Sequence, residues 1–163
     1  MVTAAAEQAL GLGEWAVSRT PGEVLTCLGL GSCVAIAIHD ASVPVAGMAH
    51  MVLPDSTAGR TSSASPAKFV DLAVPILVAA MVEAGAQPAR MRIALVGGAS
   101  MLEVPGRPNT MQIGDRNVVA ARAALAARGF APREEHVGGT NGRTLRLHVA
   151  TGQVDVSTAG QRG

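Results

Sequence analysis

Two apolar stretches lie side by side in the chain, VAIAIHD (34–40) and VAGMAHMVLP (45–54), joined by the short segment ASVP. Runs of this length and composition, the second closed by Pro54, predict two strands of a hairpin whose far ends face each other. Upstream, EVLTCLGL (23–30) predicts a strand that enters a Gly31–Ser32 bend. The small polar residues of DSTAGRTSSASP (55–66) predict a loop. After it, Phe69, Val70, Ala73, Ile76, Leu77, Ala80 and Met81 recur at helical spacing. Ser65 is the candidate N-cap of that helix, Pro66 falls in its first turn and Gly85 stops it. Pro75 within the pattern predicts a kink or a split.

MRIALV (91–96) predicts another strand, followed by the long Gly/Pro-rich connection GGASMLEVPGRPNTMQIGDRN. A second helix is predicted from about Asp115 to Arg128, carrying Val118, Val119, Arg122 and Leu125, with Gly129 as its stop. TLRLHV (144–149) and QVDVST (153–158) predict a terminal hairpin around Thr151–Gly152. The pattern shows no repeat and no boundary, so residues 1–163 are read as one domain. The expected class is α+β: a mixed or antiparallel β-sheet core, layered like a β-sandwich, with two main helices packed against it.

Composition narrows the function. A net charge of +1 and 15% charged residues give no basic nucleic-acid surface. No tyrosine, one tryptophan and two phenylalanines leave almost nothing to stack on bases. Glu7 interrupts the N-terminal apolar residues and no basic segment precedes them, unlike a signal peptide. No stretch offers about 18 uncharged apolar residues, so no membrane insertion is expected. The expectation is a cytoplasmic protein with reduced thiols. Cys27 and Cys33, if both lay along one strand, would stand up to about 20 Å apart, too far for a disulfide.

The chemistry candidates begin at LGLGSCVA (28–35). Cys33 follows a glycine-rich bend and heads an apolar strand, which either buries a structural cysteine or presents a nucleophile. The bend leaves backbone N–H groups near Gly31, Ser32 and Cys33 uncovered, a candidate oxyanion hole. His50, seventeen residues on and in the partner strand, is either a core histidine or the base beside that nucleophile. His39, His136 and His148 have no ligand spacing to a cysteine or another histidine, so no metal is expected. LVGGASM (95–101) and VGGTNGRT (137–144) lack the GK[ST] and GxGxxG patterns and read as tight turns and close backbone approaches, with no cofactor implied. Arg116 and Asn117 in IGDRN read as caps of the second helix.

These residues together resemble the CheD family of chemoreceptor glutamine deamidases. The likeness is carried in order by GEWAVSRTPGEV, GLGSCVAIAIHD, GMAHMVLPDS, AKFVDLAV, VGGASML, IGDRNVVAARAAL and VGGTNGRTLRLHVATGQVDV, nearly the whole chain. It implies that Cys33 is the nucleophile, that His50 is the general base and acid, and that protein-bound glutamines on methyl-accepting chemotaxis receptors are the substrates. It also implies a CheC-type phosphatase as a possible second partner. The family's third catalytic position is a threonine upstream of the cysteine on the same strand. Thr26 stands one residue further away than that pattern, with Cys27 at the nearer place. Either a one-residue bulge restores Thr26 or Cys27 replaces it, because a one-residue shift turns a side chain to the other face. Two alternatives to the deamidase stay open: a binding module for the receptor or the phosphatase, and a Cys-His amidohydrolase of small amides.

Overall fold

The 34–40 and 45–51 runs lack polar alternation because both are buried along their whole length, covered on the two faces of one sheet. In the computed structural model, which describes residues 6–58, 65–100 and 112–159, the strands are β1 (Ala6–Ala9), β2 (Trp15–Ser18), β3 (Glu23–Leu30), β4 (Val34–Asp40), β5 (Val45–Met51), β6 (Arg92–Gly97), β7 (Glu134–Val137), β8 (Arg143–His148) and β9 (Val154–Thr158). Helix α1 spans Val70–Glu83 and α2 spans Ile113–Ala126. One sheet has the order β2-β5-β4-β6-β7 and the other β1-β3-β8-β9. The hairpin β4–β5 is antiparallel from Asp40↔Val45 to Val34↔Met51.

The molecule has three layers. Val34, Ile36, Ile38, Ile93 and Leu95 face the helices and meet Val74, Leu77, Met81, Val118 and Leu125. The alternate residues Ala35, Ala37, Ala46, Met48, Ala94 and Val96 face the other sheet and meet Leu25, Cys27, Leu30, Leu145 and Leu147. This is the α+β class that the pattern predicts, with mixed sheets. The parallel pairs are β1–β3 and β6–β7.

Several local expectations change. The helix does not begin at Ser65: Pro66–Lys68 form a separate 3₁₀ turn, and Phe69 is the residue that precedes α1. Pro75 neither ends nor divides α1, which runs through it as one element; the N–H it lacks would have served only the carbonyl of Asp71, near the first turn. Gly85 does stop the helix. With φ 109° it lets its own N–H bond Val82 O and the N–H of Ala86 bond Met81 O, the paired closure of a Schellman motif. In α2 the buried stripe is Gly114, Asn117, Val118, Ala121 and Leu125, whereas Val119 and Arg122 are exposed. Gln112, not Arg116 or Asn117, holds the N-cap position of α2. The short strands β1, β2 and β7 carry no apolar run long enough to predict them. The predicted 55–66 loop in part, and most of the connection after β6, lie outside the described residues.

Candidate active site

The site is built where β3 hands over to β4. Strand β3 pairs with β8 in register up to Cys27↔Leu145 and resumes at Leu30↔Arg143, so Leu28 and Gly29 face the single residue Thr144. Gly29 takes φ 60° in this bulge and donates its N–H to Thr144 Oγ1 at 3.3 Å. Leu28 is thrown outward, 56% exposed. After Leu30 the chain bends at Gly31–Ser32 and enters β4.

Register then decides which side chains meet. Ala35 is directly opposite His50, and both point toward the layer between the sheets, as do Cys33 and Met48. Cys33 precedes Ala35 by two and so shares the face of His50 as its diagonal neighbour, on the order of 7–8 Å between backbones. Imidazole and thiol can span such a diagonal. Cys33 is half-buried and His50 is 5% exposed.

His50 is held at three points by residues 10–14, one on its ring and two on its backbone. Leu10 O lies 3.1 Å from Nδ1; because a carbonyl only accepts, Nδ1 carries the proton and Nε2 the lone pair of the neutral ring. The N–H of His50 donates to Glu14 O, and His50 O accepts from the N–H of Gly13, both at 2.9 Å. The Leu10 carbonyl fixes the tautomer, and the two backbone bonds fix the strand that carries the ring.

The two thiols differ. Burial pushes the Cys27 thiol up to about 12, with the neighbouring Cys33 adding to the rise. Cys27 packs its sulfur 3.4 Å from Met48 Sδ. Burial also raises Cys33, less completely, and its own backbone N–H pulls it back down. The spacing argument that set the two cysteines far apart assumed one strand. The bend places them instead on the two facing sheets, Cys27 in β3 and Cys33 at the head of β4, both turned into the layer between the sheets as free thiols.

Thr26 pairs with Arg146 and Ala9, on the opposite face of β3 from Leu25 and Cys27. Its hydroxyl is buried and, among the described residues, without a partner. The bulge lies after Cys27 and does not bring Thr26 round; the inward position of β3 belongs to Cys27. Gly31 and Ser32 do lie at the bend beside the thiol. Their carbonyls are occupied, Gly31 O by the N–H of Ala99 at 2.8 Å and Ser32 O by the amide of Asn117 at 2.9 Å.

The remaining histidines serve structure. His39 Nε2 donates to Val149 O at 2.8 Å, and His136 and His148 pair with Glu134 and Asp155 at the surface. The VGGASM glycines are close approaches: a Cβ at Gly97 would stand 2.2 Å from Cys33 O, and one at Gly98 would stand 2.3 Å from Val118 Cγ2.

Two parts of the site escaped the sequence. The Leu10 carbonyl sits in a segment with no motif, and no residue type marks a backbone acceptor. Asn117 did leave a signal, an amide on the inward stripe of a helix between Gly114 and Ala121, which a cap reading overlooks.

Residues 52–158 match the family model CheD, described as CheD chemotactic sensory transduction. A protein of Symbiobacterium thermophilum named probable chemoreceptor glutamine deamidase CheD is 47% identical over 154 residues, 94% of this chain and 93% of the relative. Proteins of the same name are 38% identical in Desulfitobacterium hafniense, over 91% of each chain, and in Syntrophotalea carbinolica, over 93% of this chain and 94% of the relative. The crystal structure of the Bacillus licheniformis hypothetical protein YfiH overlays with TM-score 0.47 and 16% identity, over 75% of this chain and 49% of that one.

Proposed function

We propose, for a chain that belongs to the CheD family, that it deamidates glutamine side chains of chemoreceptors, with Cys33 as nucleophile and His50 as base and acid. One observation carries the assignment: thiol and imidazole share a face of adjoining strands, and the imidazole proton is parked on Leu10 O, leaving Nε2 as the acceptor.

Because burial holds Cys33 as a neutral thiol at rest, the attack needs a base. Nε2 of His50 takes the thiol proton as sulfur adds to the amide carbon, forming the C–S bond and an oxyanion. Backbone N–H groups at Ser32 and Cys33 are the donors that suit that oxygen. The C–N bond then breaks as the imidazolium returns its proton to the departing nitrogen, releasing ammonia and leaving a γ-glutamyl thioester. Water, deprotonated by Nε2, adds to the thioester; the C–S bond breaks and glutamate and the Cys33 thiol are formed. No cofactor enters these steps.

Leu12, within the segment that clasps His50, and Leu28, at the β3 bulge, are exposed apolar side chains that an amphipathic receptor helix could cover. Among the described residues no helix is long and apolar enough to cross a membrane; the cytoplasmic helices of the receptor are the proposed place of action. The family resemblance also supports a CheC-type phosphatase as a second partner. A binding-module reading draws on Thr26, whose side chain is turned away from Cys33 and His50.

The test is mass spectrometry of a receptor cytoplasmic fragment after incubation with the protein. A one-dalton gain at specific glutamines is expected, abolished by Cys33→Ala and slowed by about 10²–10⁴-fold in His50→Ala. Binding of the fragment without any mass change would leave the binding module; activity confined to free glutamine or small amides would mean a general amidohydrolase.

A further inference from the structure

Three consecutive carbonyls around the nucleophile are tied to one side of the molecule. Gly31 O accepts from the N–H of Ala99 and Cys33 O from the N–H of Gly98, each at 2.8 Å. Between them, Ser32 O accepts from Asn117 Nδ2 at 2.9 Å. All three donors belong to α2 or to the segment after β6. No peptide bond among the described residues is cis, and a trans peptide points its N–H opposite its C=O. The Ser32 and Cys33 N–H groups therefore face away from α2, on the side of the thiol. Among the described residues neither donates to a backbone carbonyl outside the strands, and the Cys33 N–H reaches its own sulfur.

Asn117 holds the middle of this arrangement. Its side-chain amide is fully buried, and its second bond from Nδ2 goes to Val52 O at 2.9 Å. Val52 follows β5, two residues beyond His50. One planar amide thus joins the peptide of the nucleophile to the strand of the base. Its Oδ1 is buried with no partner among the described residues, a burden that an apolar residue on the same helical stripe would not bear. The approach is close because a Cβ at Gly114 would stand 2.6 Å from Ala99 O.

We propose that Asn117 is a positioning residue of the oxyanion hole, aiming the Ser32–Cys33 peptide so that the Cys33 N–H donates to the oxygen of the tetrahedral intermediate. The proposal rests on the deamidase reading of the Cys33–His50 site.

Two reactions of the same sulfur separate this role from general upkeep of the fold. Deamidation passes through an oxyanion; alkylation by iodoacetamide is a displacement at a saturated carbon and forms none. In Asn117→Ala and Asn117→Asp, kcat on the receptor fragment should fall by about 10²-fold, the scale of one lost oxyanion donor. KM and the rate of Cys33 alkylation should stay near wild type. Unchanged kcat, or deamidation and alkylation falling together, overturns the proposal. A wild-type protein that never deamidates the fragment would instead remove the underlying reading, and this one with it.

Where the variants do not fold, the wild type decides. A peptide aldehyde replacing the glutamine amide adds the Cys33 thiol across its C=O, and the new oxygen occupies the hole. The ¹⁵N-labelled Cys33 N–H should then move downfield and the Asn117 side-chain protons should resist exchange. No shift, or Asn117 protons that exchange as readily as exposed ones, overturns it.

Discussion

Residue by residue, the site turns on how differently two thiols of one chain are housed. Cys27 is sealed between the sheets against Met48 and ionises only near 12, whereas Cys33 sits half-open at the head of β4 with its own N–H pulling its raised value down. The thiolate is the reacting species. In the native protein iodoacetamide should therefore modify Cys33 alone up to about pH 10, at a rate that climbs about tenfold per pH unit until the Cys33 thiolate predominates. Peptide mapping after brief labelling checks this, and equal labelling of Cys27 would mean that the inter-sheet layer is open. His39 shows the contrasting fate of a histidine: its Nε2 proton goes to Val149 O and its ring lies against Gly152, so it is spent on packing.

Among the elements, the end of β6 and the segment after it have the tightest tolerance because they lie directly on the backbone of Cys33. Gly97 has φ 113°, and a Cβ there would stand 2.2 Å from Cys33 O and 3.1 Å from Val34 Cα, both backbone atoms that cannot rotate away. Gly97→Ala should cost about 1–3 kcal/mol and also lower the deamidation rate, since relief requires the head of β4 to move. Gly85 is the control, with φ 109° but nothing within 4 Å of an added Cβ. Gly85→Ala should show strain alone, destabilising α1 without touching the rate. Chemical denaturation and the mass assay on both variants separate the two outcomes. The same register logic explains Thr26, which strand alternation turns to the other face of β3, where it is still fully buried, while Cys27 takes the face toward the other sheet.

For the whole molecule, stability should fall at both ends of the pH scale for identifiable reasons. Asp40, fully buried at the end of β4, accepts from the Arg90 guanidinium at 2.9–3.1 Å and from the N–H groups of Gln87 and Ser42. The Arg90 hydrogen bond first, then the backbone donors, hold its carboxyl below the ordinary range. Its folded value lies below the unfolded one of about 3.9, so this stability is present above that pH and is lost as pH falls through the lowered value. Cys27 behaves oppositely. Raised in the fold to about 12, it contributes below the unfolded thiol value of about 8.5, and that contribution declines as pH climbs toward 12. Melting temperature should thus drop on both limbs. Asp40→Ala should remove about 3–5 kcal/mol near neutral pH, at the lower end because Arg90 is still one-third exposed, and should flatten the acid limb. An unchanged acid limb in that variant would show that the pair does not couple protonation to folding.

Long apolar runs and glycine stops fixed β3, β4, β5, both helices and the terminal hairpin from the sequence, because burial and helix termination are encoded within a few residues. The Cys33 bend and the His50 strand were legible for the same reason, as a small-residue turn beside an unbroken hydrophobic strand. The short edge strands, the face taken by Thr26, the Leu10 carbonyl on His50 and the reach of Asn117 to two backbones were decided only by the tertiary structure. Each depends on register or on a backbone partner distant in the chain, as Asn117 and Ser32 are 85 positions apart, and no local pattern of side chains specifies which strand a carbonyl will meet.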